Sequence, residues 1–268
     1  MKARFVVSMT VVLFAVSCVT STQPYSDEDF LDMVETGTRE QVYQAIRAGA
    51  NVNAVCEDGF TPLMAAAVNE DSGVTEVLLV AGADVHAQGP MDFEWGPGFT
   101  PLWFALLYNA NPEVPAMLIE AGSDVNLVID IGYTPLMFAT ARQPPHIIRM
   151  LIEAGADVNA RVPHDPYDDE VSGFTPLMFA VYYGRPEVIG VLLAGGADVN
   201  ARTTDGRTPL MIAAGETTKV SVITALLDGG ADANAKDSEG RTAIDYVERN
   251  RYLSETDAYH QLLQDAQR

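Results

Sequence analysis

The sequence has few cysteines and few basic residues, and these two shortages already exclude several classes of protein. Its 268 residues include only two cysteines, Cys18 and Cys56, so a scaffold held by many disulfides is excluded. Lysine and arginine number 16 against 37 aspartate and glutamate residues, which gives a formal net charge of −21. Nucleic acids and anionic lipids are bound largely through basic side chains, so neither is an expected partner.

Charged residues of either sign are also scarce, at 20% of the chain, whereas 48% of the residues are hydrophobic. Disordered chains show the reverse balance, because they lack the apolar surface needed to offset the entropy of folding. The mean hydropathy is +0.06 and the isoelectric point is near 4.3. We therefore predict a folded, acidic protein with a sizeable core.

The motifs that mark common catalytic and cofactor sites are missing. The sequence contains no glycine-rich nucleotide loop, no His-Glu-x-x-His zinc motif and no Gly-x-Ser-x-Gly nucleophile turn. The four histidines lie far apart, and no two of them have the spacing of a metal site. The prediction is a protein that is not an enzyme and that holds no cofactor and no metal.

The first 17 residues have the layout of a secretory signal peptide. Lys2 and Arg4 precede an apolar stretch over residues 5–16, which is shorter than the roughly 20 residues of a membrane span. The tetrapeptide Ala-Val-Ser-Cys that ends at Cys18 resembles the lipobox of bacterial lipoproteins, although leucine is usual at its first position. This resemblance implies cleavage before Cys18 and lipid attachment to its sulfur; cleavage without a lipid is the alternative.

Two short motifs recur through the rest of the chain with a period near 33 residues. Thr-Pro-Leu occurs five times, and Gly-Ala-Asp or a close variant occurs six times in step with it. Successive threonines are separated by 39, 34, 41, 33 and 34 residues when a final Thr-Ala-Ile is included. The six motifs begin at Thr61, Thr100, Thr134, Thr175, Thr208 and Thr242.

Each repeat predicts two short helices followed by an extended segment and a turn. Threonine is a good N-cap, and proline fits the first helical position, where its missing N–H costs nothing. The unit that starts at Thr175 predicts one helix ending at Gly184 and a second from Pro186 to Gly195. Two short helices cannot bury their apolar faces alone, so the units must stack.

The pattern Asp-Gly-x-Thr-Pro-Leu, followed by Glu-Val, Leu-Leu and Gly-Ala-Asp-Val-Asn-Ala, resembles the ankyrin repeat over about residues 26–266. The resemblance implies an all-α repeat solenoid of stacked helix-turn-helix units with β-hairpin fingers. We count about seven units in a domain over residues 26–268, the first and last acting as caps, after a linker over residues 18–25. Methionine or tryptophan replaces the family's usual histidine after Thr-Pro-Leu, so we expect packing to replace its hydrogen bonds.

Two units are longer than the rest because of insertions in their fingers, at residues 88–98 and 161–173. In ankyrin-like stacks the fingers and first helices form a concave face that commonly binds partners, with the residue before each threonine on its inner side. Aromatic anchors in an acidic surround suit a protein partner with a basic or neutral surface. The predicted contacts are Phe60, Trp95, Phe99, Leu107, Tyr108, Tyr133, Phe174, Tyr182, Tyr183 and Arg207.

The alternative for these rings is that they pack against neighbouring fingers, and it applies most to Phe60 and Tyr133. With that question open, the sequence favours a monomeric, non-catalytic protein-binding module. It is expected to be exported to the periplasm or outer envelope, with membrane contact only through a lipid on Cys18. A scaffold or inhibitor of another envelope protein is a variant of this function. An envelope hydrolase is a different one, with carboxylates from the enlarged fingers: Asp92, Glu94, Asp165 and Asp168.

Overall fold

The computed structural model describes residues 25–57, 59–89, 98–129, 132–163, 171–217, 219–250, 256–266 and 268. The predicted signal peptide, the lipid site at Cys18, the predicted contact Trp95 and the four candidate hydrolase carboxylates lie outside these residues. Within them the chain forms fourteen helices and no β-strand. The helices are α1 Asp27–Thr36, α2 Arg39–Arg47, α3 Pro62–Val68, α4 Ser72–Val80, α5 Pro101–Tyr108, α6 Glu113–Glu120, α7 Pro135–Arg142, α8 Pro145–Glu153, α9 Pro176–Tyr182, α10 Pro186–Ala194, α11 Pro209–Glu216, α12 Val220–Asp228, α13 Ala243–Arg249 and α14 Asp257–Asp265.

The helices form two layers that run along the molecule. Each odd-numbered helix packs against the next odd-numbered helix, and the even-numbered helices do the same in the second layer from α2 to α14. We call these the inner and the outer helices. Each unit pairs one inner with one outer helix, and its main contacts reach only adjacent units. The predicted all-α repeat solenoid is confirmed.

The repeat motif builds each unit as its residues predict. The Thr175 hydroxyl accepts a hydrogen bond from the Met178 backbone N–H at 3.4 Å, and Pro176 occupies the first position of α9. Helix α10 ends at Ala194, and Gly196 follows with a φ of +93°, a left-handed conformation that glycine adopts without strain. Both predicted helices are present: α9 ends at Tyr182, two residues before Gly184, and α10 begins at Pro186 and ends one residue before Gly195.

The short fingers between units are tight turns. In the finger before α11, the Thr203 N–H donates to the Arg207 carbonyl at 2.9 Å, and the Gly206 N–H donates back to Thr203 at 3.0 Å. Gly206 has a φ of +82°, and a Cβ there would lie 3.0 Å from the Ser238 backbone nitrogen of the next finger. Too few backbone hydrogen bonds close each finger for a strand to form. The expected β-hairpins are therefore tight turns, and the described part of the fingers contains no strand.

The residues that replace the family's histidine all lie in the core. Packing therefore replaces the hydrogen bonds of the family's histidine, as expected. One hydrogen bond remains at these positions: the Trp103 indole N–H donates to the Leu127 carbonyl at 3.2 Å. Side chains at other positions supply further hydrogen bonds between units. The replaced positions, each 0–1% exposed, are Met64, Trp103, Met137, Met178 and Met211.

One set of these bonds closes the C-terminal ends of the inner helices, where backbone carbonyls lack a partner within the helix. The Asn69 amide donates to the Val34 carbonyl of the preceding unit at 2.8 Å, and the Asn109 amide donates to the Ala67 carbonyl at 3.0 Å. We call this series the helix-end ladder. Its further donors, each acting on the unit before its own, are Gln143, Arg185, Lys219 and Asn250.

A second series joins the turns that follow the outer helices. The Asn53 amide donates to the Gly82 carbonyl at 3.1 Å, and its oxygen accepts from the Asp84 N–H at 2.8 Å. We call this series the turn ladder. Asn126, Asn159 and Asn200 repeat the same pair of bonds to the next unit.

The turn ladder has a gap at His86, the residue that stands where the other units have asparagine. No bond from its exposed ring to Gly122 or Asp124 occurs in the described part of the chain, although these are the equivalent partners in the next unit. We expect His86→Asn to add the missing pair of bonds and to raise the free energy of unfolding by about 1 kcal/mol. Urea unfolding followed by circular dichroism measures the change.

Asn126→His is the matched control, because it makes the reverse substitution in a unit whose two bonds are present at 2.8 Å. It should lower the free energy of unfolding by a similar amount. Equal stability of wild type and His86→Asn would show that the gap costs the stack nothing.

Candidate binding surface

Eight aromatic rings form a continuous series along the inner helices and fingers. Neighbouring ring centroids lie 5.1–5.7 Å apart, with the tilted or edge-to-face geometry that aromatic pairs prefer. We call this series the aromatic ladder. In order of contact its rings are Phe60, Phe104, Phe99, Trp103, Phe138, Tyr133, Phe179 and Phe174.

The ladder changes the assignment of three predicted contacts. Phe99 is 1% exposed, and Tyr133 and Phe174 are each 2% exposed. A partner cannot reach these rings, so their prediction as contact residues is wrong for this structure. The alternative holds for them: they pack between fingers and inner helices, and the ring-to-ring contacts explain why aromatic residues occupy these positions.

The remaining described candidates reach the surface. Tyr108, at the end of α5, is 43% exposed, and its ring stacks on Phe104 with the centroids 6.2 Å apart. Leu107, Phe60, Tyr182 and Tyr183 are half-buried. Except for Phe60, which lies in a finger, all of them lie at the C-terminal ends of inner helices. Their role as partner contacts stays a prediction.

Tyr182 and Tyr183 form a pair with edge-to-face rings, their centroids 5.6 Å apart. Burial raises the pKa of the Tyr183 hydroxyl, Tyr182 raises it further, and the nearby Arg142 acts against both. The hydroxyl is therefore neutral and can donate a hydrogen bond at physiological pH. Arg142 also donates to the Leu107 carbonyl at 3.1 Å, which ties the ends of α5 and α7 together.

Arginine replaces the aromatic residue in the last two fingers. Arg207 lies 2.8 Å from the Asp205 carboxylate, and its side chain is 19% exposed. Arg241 makes the equivalent contact with Glu239 at 2.9 Å, forms a second ion pair with Asp237 at 2.8 Å, and lies 5.0 Å from the centre of the Tyr246 ring. The predicted contact Arg207 is thus engaged within its own finger, and the aromatic ladder gives way to ion pairs toward the C-terminus.

Asp237 is the centre of a hydrogen-bond network in the last finger. It accepts from the Tyr246 hydroxyl at 2.7 Å and from the Glu239 and Arg241 backbone N–H groups at 2.9 and 2.8 Å. Burial acts to raise the pKa of Asp237, but these hydrogen bonds outweigh it and hold the pKa far below its usual value. Burial and the bond to Asp237 raise the pKa of Tyr246 to about 12.

Sequence reasoning missed the second set of rings in the aromatic ladder. Phe104, Phe138 and Phe179 each lie four residues after the threonine of their unit, on the inner helix, and each contacts a ring from a finger. The signal was available, because aromatic residues recur at one place in the repeat. Only the packing shows that the finger rings fit against them.

The described residues contain neither a metal-binding cluster nor a membrane-spanning helix. No group of three or more histidine, cysteine, aspartate or glutamate side chains in these segments is arranged to hold a metal ion. Helices of the length and apolar character needed to cross a bilayer are likewise missing from the described part of the chain.

A family model described as "Ankyrin repeats (3 copies)" matches residues 31–129, 72–162, 117–203 and 177–267. The chain belongs to the ankyrin-repeat family. The crystal structure of the human ASB11 ankyrin repeat domain is similar to this chain with a TM-score of 0.66 and 24% sequence identity. That likeness covers 88% of this chain and 96% of the other, and it shows the shared fold. Ankyrin repeats are a protein-binding architecture.

Curated relatives of this ankyrin-repeat protein match over shorter segments. The chain is 36% identical to the mitochondrial disaggregase of Homo sapiens over 69 residues. This segment is 26% of this chain and 10% of that protein. It is 32% identical over 122 residues to "Ankyrin repeat and SAM domain-containing protein 6" of Rattus norvegicus, 43% of this chain and 13% of that protein. The matched region is therefore a small part of each relative.

The Asp237 network predicts how stability depends on pH. Because the pKa of Asp237 is lower in the folded chain, its contribution is complete above the unfolded value near 4 and is lost as the pH falls below it. We expect Asp237→Asn to reduce the free energy of unfolding at pH 7 by about 1–3 kcal/mol. The difference from wild type should shrink as the pH falls from about 4 to 3.

Urea unfolding at pH 7 and pH 3 tests this, with Asp228→Asn as the control because that carboxylate is exposed on an outer helix. The raised pKa of Tyr246 gives the opposite dependence: its contribution is complete below about pH 10 and is lost as the pH rises toward 12. An Asp237→Asn variant as stable as wild type at pH 7 would contradict the prediction.

Proposed function

We propose that this ankyrin-repeat protein is a non-catalytic binding module that holds a partner protein on its concave face. The observation that carries the proposal is the group of half-buried and exposed apolar side chains at the ends of α5 and α9. Leu107, Tyr108, Tyr182 and Tyr183 lie beside the aromatic ladder and the helix-end ladder, which hold the backbone that carries them. Rigid aromatic side chains bind with little loss of conformational entropy, which is why they dominate many protein interfaces.

The charge of the chain supports a partner with a basic or neutral surface. With a formal net charge of −21, the protein repels acidic partners and speeds the encounter with basic ones. Scaffolding and inhibition of the partner are two outcomes of the same binding. The hydrolase alternative gains no support from the described residues, because Asp92, Glu94, Asp165 and Asp168 all lie outside them.

The proposed location is the cell envelope, and the sequence before residue 19 supports it. Basic residues, an apolar stretch and the lipobox-like Ala-Val-Ser-Cys sequence favour export and a lipid on Cys18. Mass spectrometry of the mature N-terminus tests this, and Cys18→Ala should move the protein from the membrane fraction to the soluble fraction. A mature chain that begins beyond Cys18 would contradict the anchor but not the binding function.

Partner binding is tested in two steps. Affinity capture from the native envelope followed by mass spectrometry names a candidate partner, and titration with the purified partner gives its dissociation constant. We expect the double variant Tyr108→Ala, Tyr182→Ala to weaken binding about thirtyfold or more, because each aromatic anchor contributes about 1 kcal/mol or more.

Tyr43→Ala is the matched control. Tyr43 is 41% exposed, close to the 43% of Tyr108, but it lies on the outer helix α2. The control should leave the dissociation constant within about twofold of wild type. A double variant that binds as tightly as wild type, or a control that weakens binding as much, would place the contact elsewhere.

A further inference from the structure

The helix-end ladder fixes which residues of successive inner helices are equivalent. The Asn69 amide donates to Val34, the Asn109 amide to Ala67 and the Gln143 amide to Leu106, so these three acceptors occupy the same place in their units. The next residue in each unit is therefore also equivalent, which aligns Glu35, Val68 and Leu107. Two residues before each acceptor, the aligned set is Asp32, Ala65 and Phe104.

This register shows how the surface changes along the first three inner helices. On α1 both aligned positions carry carboxylates, with Asp32 exposed and Glu35 half-buried. On α3 they carry the small apolar side chains of Ala65 and Val68, both half-buried. On α5 they carry Phe104, whose ring is buried at 4% exposure, and the half-buried Leu107. We call this strip the palm groove; it runs from two carboxylates across a shallow apolar floor to aromatic residues.

At the α5 side of the palm groove, the Phe104 ring contacts two other aromatic rings. It lies 5.5 Å from the Phe60 ring of the preceding finger and 6.2 Å from the Tyr108 ring. Because Ala65 is small, no aromatic side chain projects from the middle unit at this position. The floor can therefore receive the aliphatic stem of a long side chain.

The carboxylates at the end of the palm groove have no cation to balance them among the described residues. None of the ion pairs there includes Asp32 or Glu35, and α1 contains no basic residue. Burial and the negative charge of Asp32 both raise the pKa of Glu35. A positive charge supplied from outside would relieve this repulsion.

Acidic residues also outnumber basic ones most strongly in the half of the protein that contains the palm groove. Residues 26–160 hold twenty acidic and four basic residues, whereas residues 161–268 hold seventeen acidic and ten basic ones. The N-terminal half thus carries most of the negative charge. A basic segment would be drawn toward this end of the stack before it makes any contact.

We propose that the palm groove binds an extended basic segment of the partner, with a lysine or arginine head at Asp32 and Glu35 and an apolar residue against Leu107 and Tyr108. This inference rests on the proposed binding function and adds the chemistry of the bound segment. Packed helices lie about 8–10 Å apart, so α1 and α5 are separated by about 16–20 Å. An extended chain advances about 3.3 Å per residue, which puts the two anchor residues about five or six positions apart.

The test uses a displayed library of random peptides of about twelve residues, long enough to hold both anchors. The library is selected on the wild-type protein, and the dissociation constants of the selected peptides are measured. We expect peptides with a lysine or arginine about five or six positions from an aromatic or aliphatic residue. The double variant Asp32→Asn, Glu35→Gln should bind them about tenfold or more weakly.

The control variant Glu120→Gln, Glu153→Gln removes the same two charges from exposed positions on the outer helices α6 and α8. It should bind the selected peptides within about twofold of wild type. Thermal unfolding checks that the groove variant is folded, and its midpoint should not fall, because the substitutions remove a repulsion between like charges.

The outcomes separate this inference from the proposed function. Selected peptides that lose affinity in the Tyr108→Ala, Tyr182→Ala variant but not in the groove variant would overturn the basic-segment inference and leave the concave-face function standing. Selection of peptides without basic residues, or of acidic peptides, would overturn the inference in the same way. If no selected peptide depends on either variant, both the inference and the site of the proposed function are wrong.

Discussion

The constraint on which this structure depends is that no inner helix completes its own hydrogen bonds. These helices have only seven to ten residues, too few to be stable in isolation, and their last carbonyl groups lack partners within the unit. Asn69, Asn109 and the donors that follow supply those bonds from the next unit. A unit is therefore finished only when its neighbour has folded against it, which makes the array cooperative.

The aromatic ladder shows how the same dependence between neighbours shapes the surface. Phe99, Tyr133 and Phe174 fix the fingers to the inner helices and leave no ring area for a partner. The residues that remain accessible, above all Tyr108, lie at helix ends that these buried contacts hold in place. Binding to such a surface costs little ordering, because the ordering is done when the protein folds.

Sequence alone predicted the parts of the structure that each repeat determines by itself. Thr-Pro-Leu and the glycines predicted the helices of every complete unit, and stacking followed from their apolar faces. Burial of Phe99 could not be predicted, because a ring before threonine can face either a partner or the next helix. The alignment of Asp32 with Ala65 was also hidden, since the first unit lacks Thr-Pro-Leu and only the bond from Asn69 sets the register.

The gap at His86 divides the stack unequally. The main contacts among the described residues pass between adjacent units, so a joint that lacks one pair of bonds is a point at which the stack can divide into two cooperative blocks. Two units lie on its N-terminal side and five on the other. Under partial denaturation or mechanical load the short block, which carries Asp32 and Glu35, would separate first, while the tyrosines of α5 and α9 would stay with the longer block.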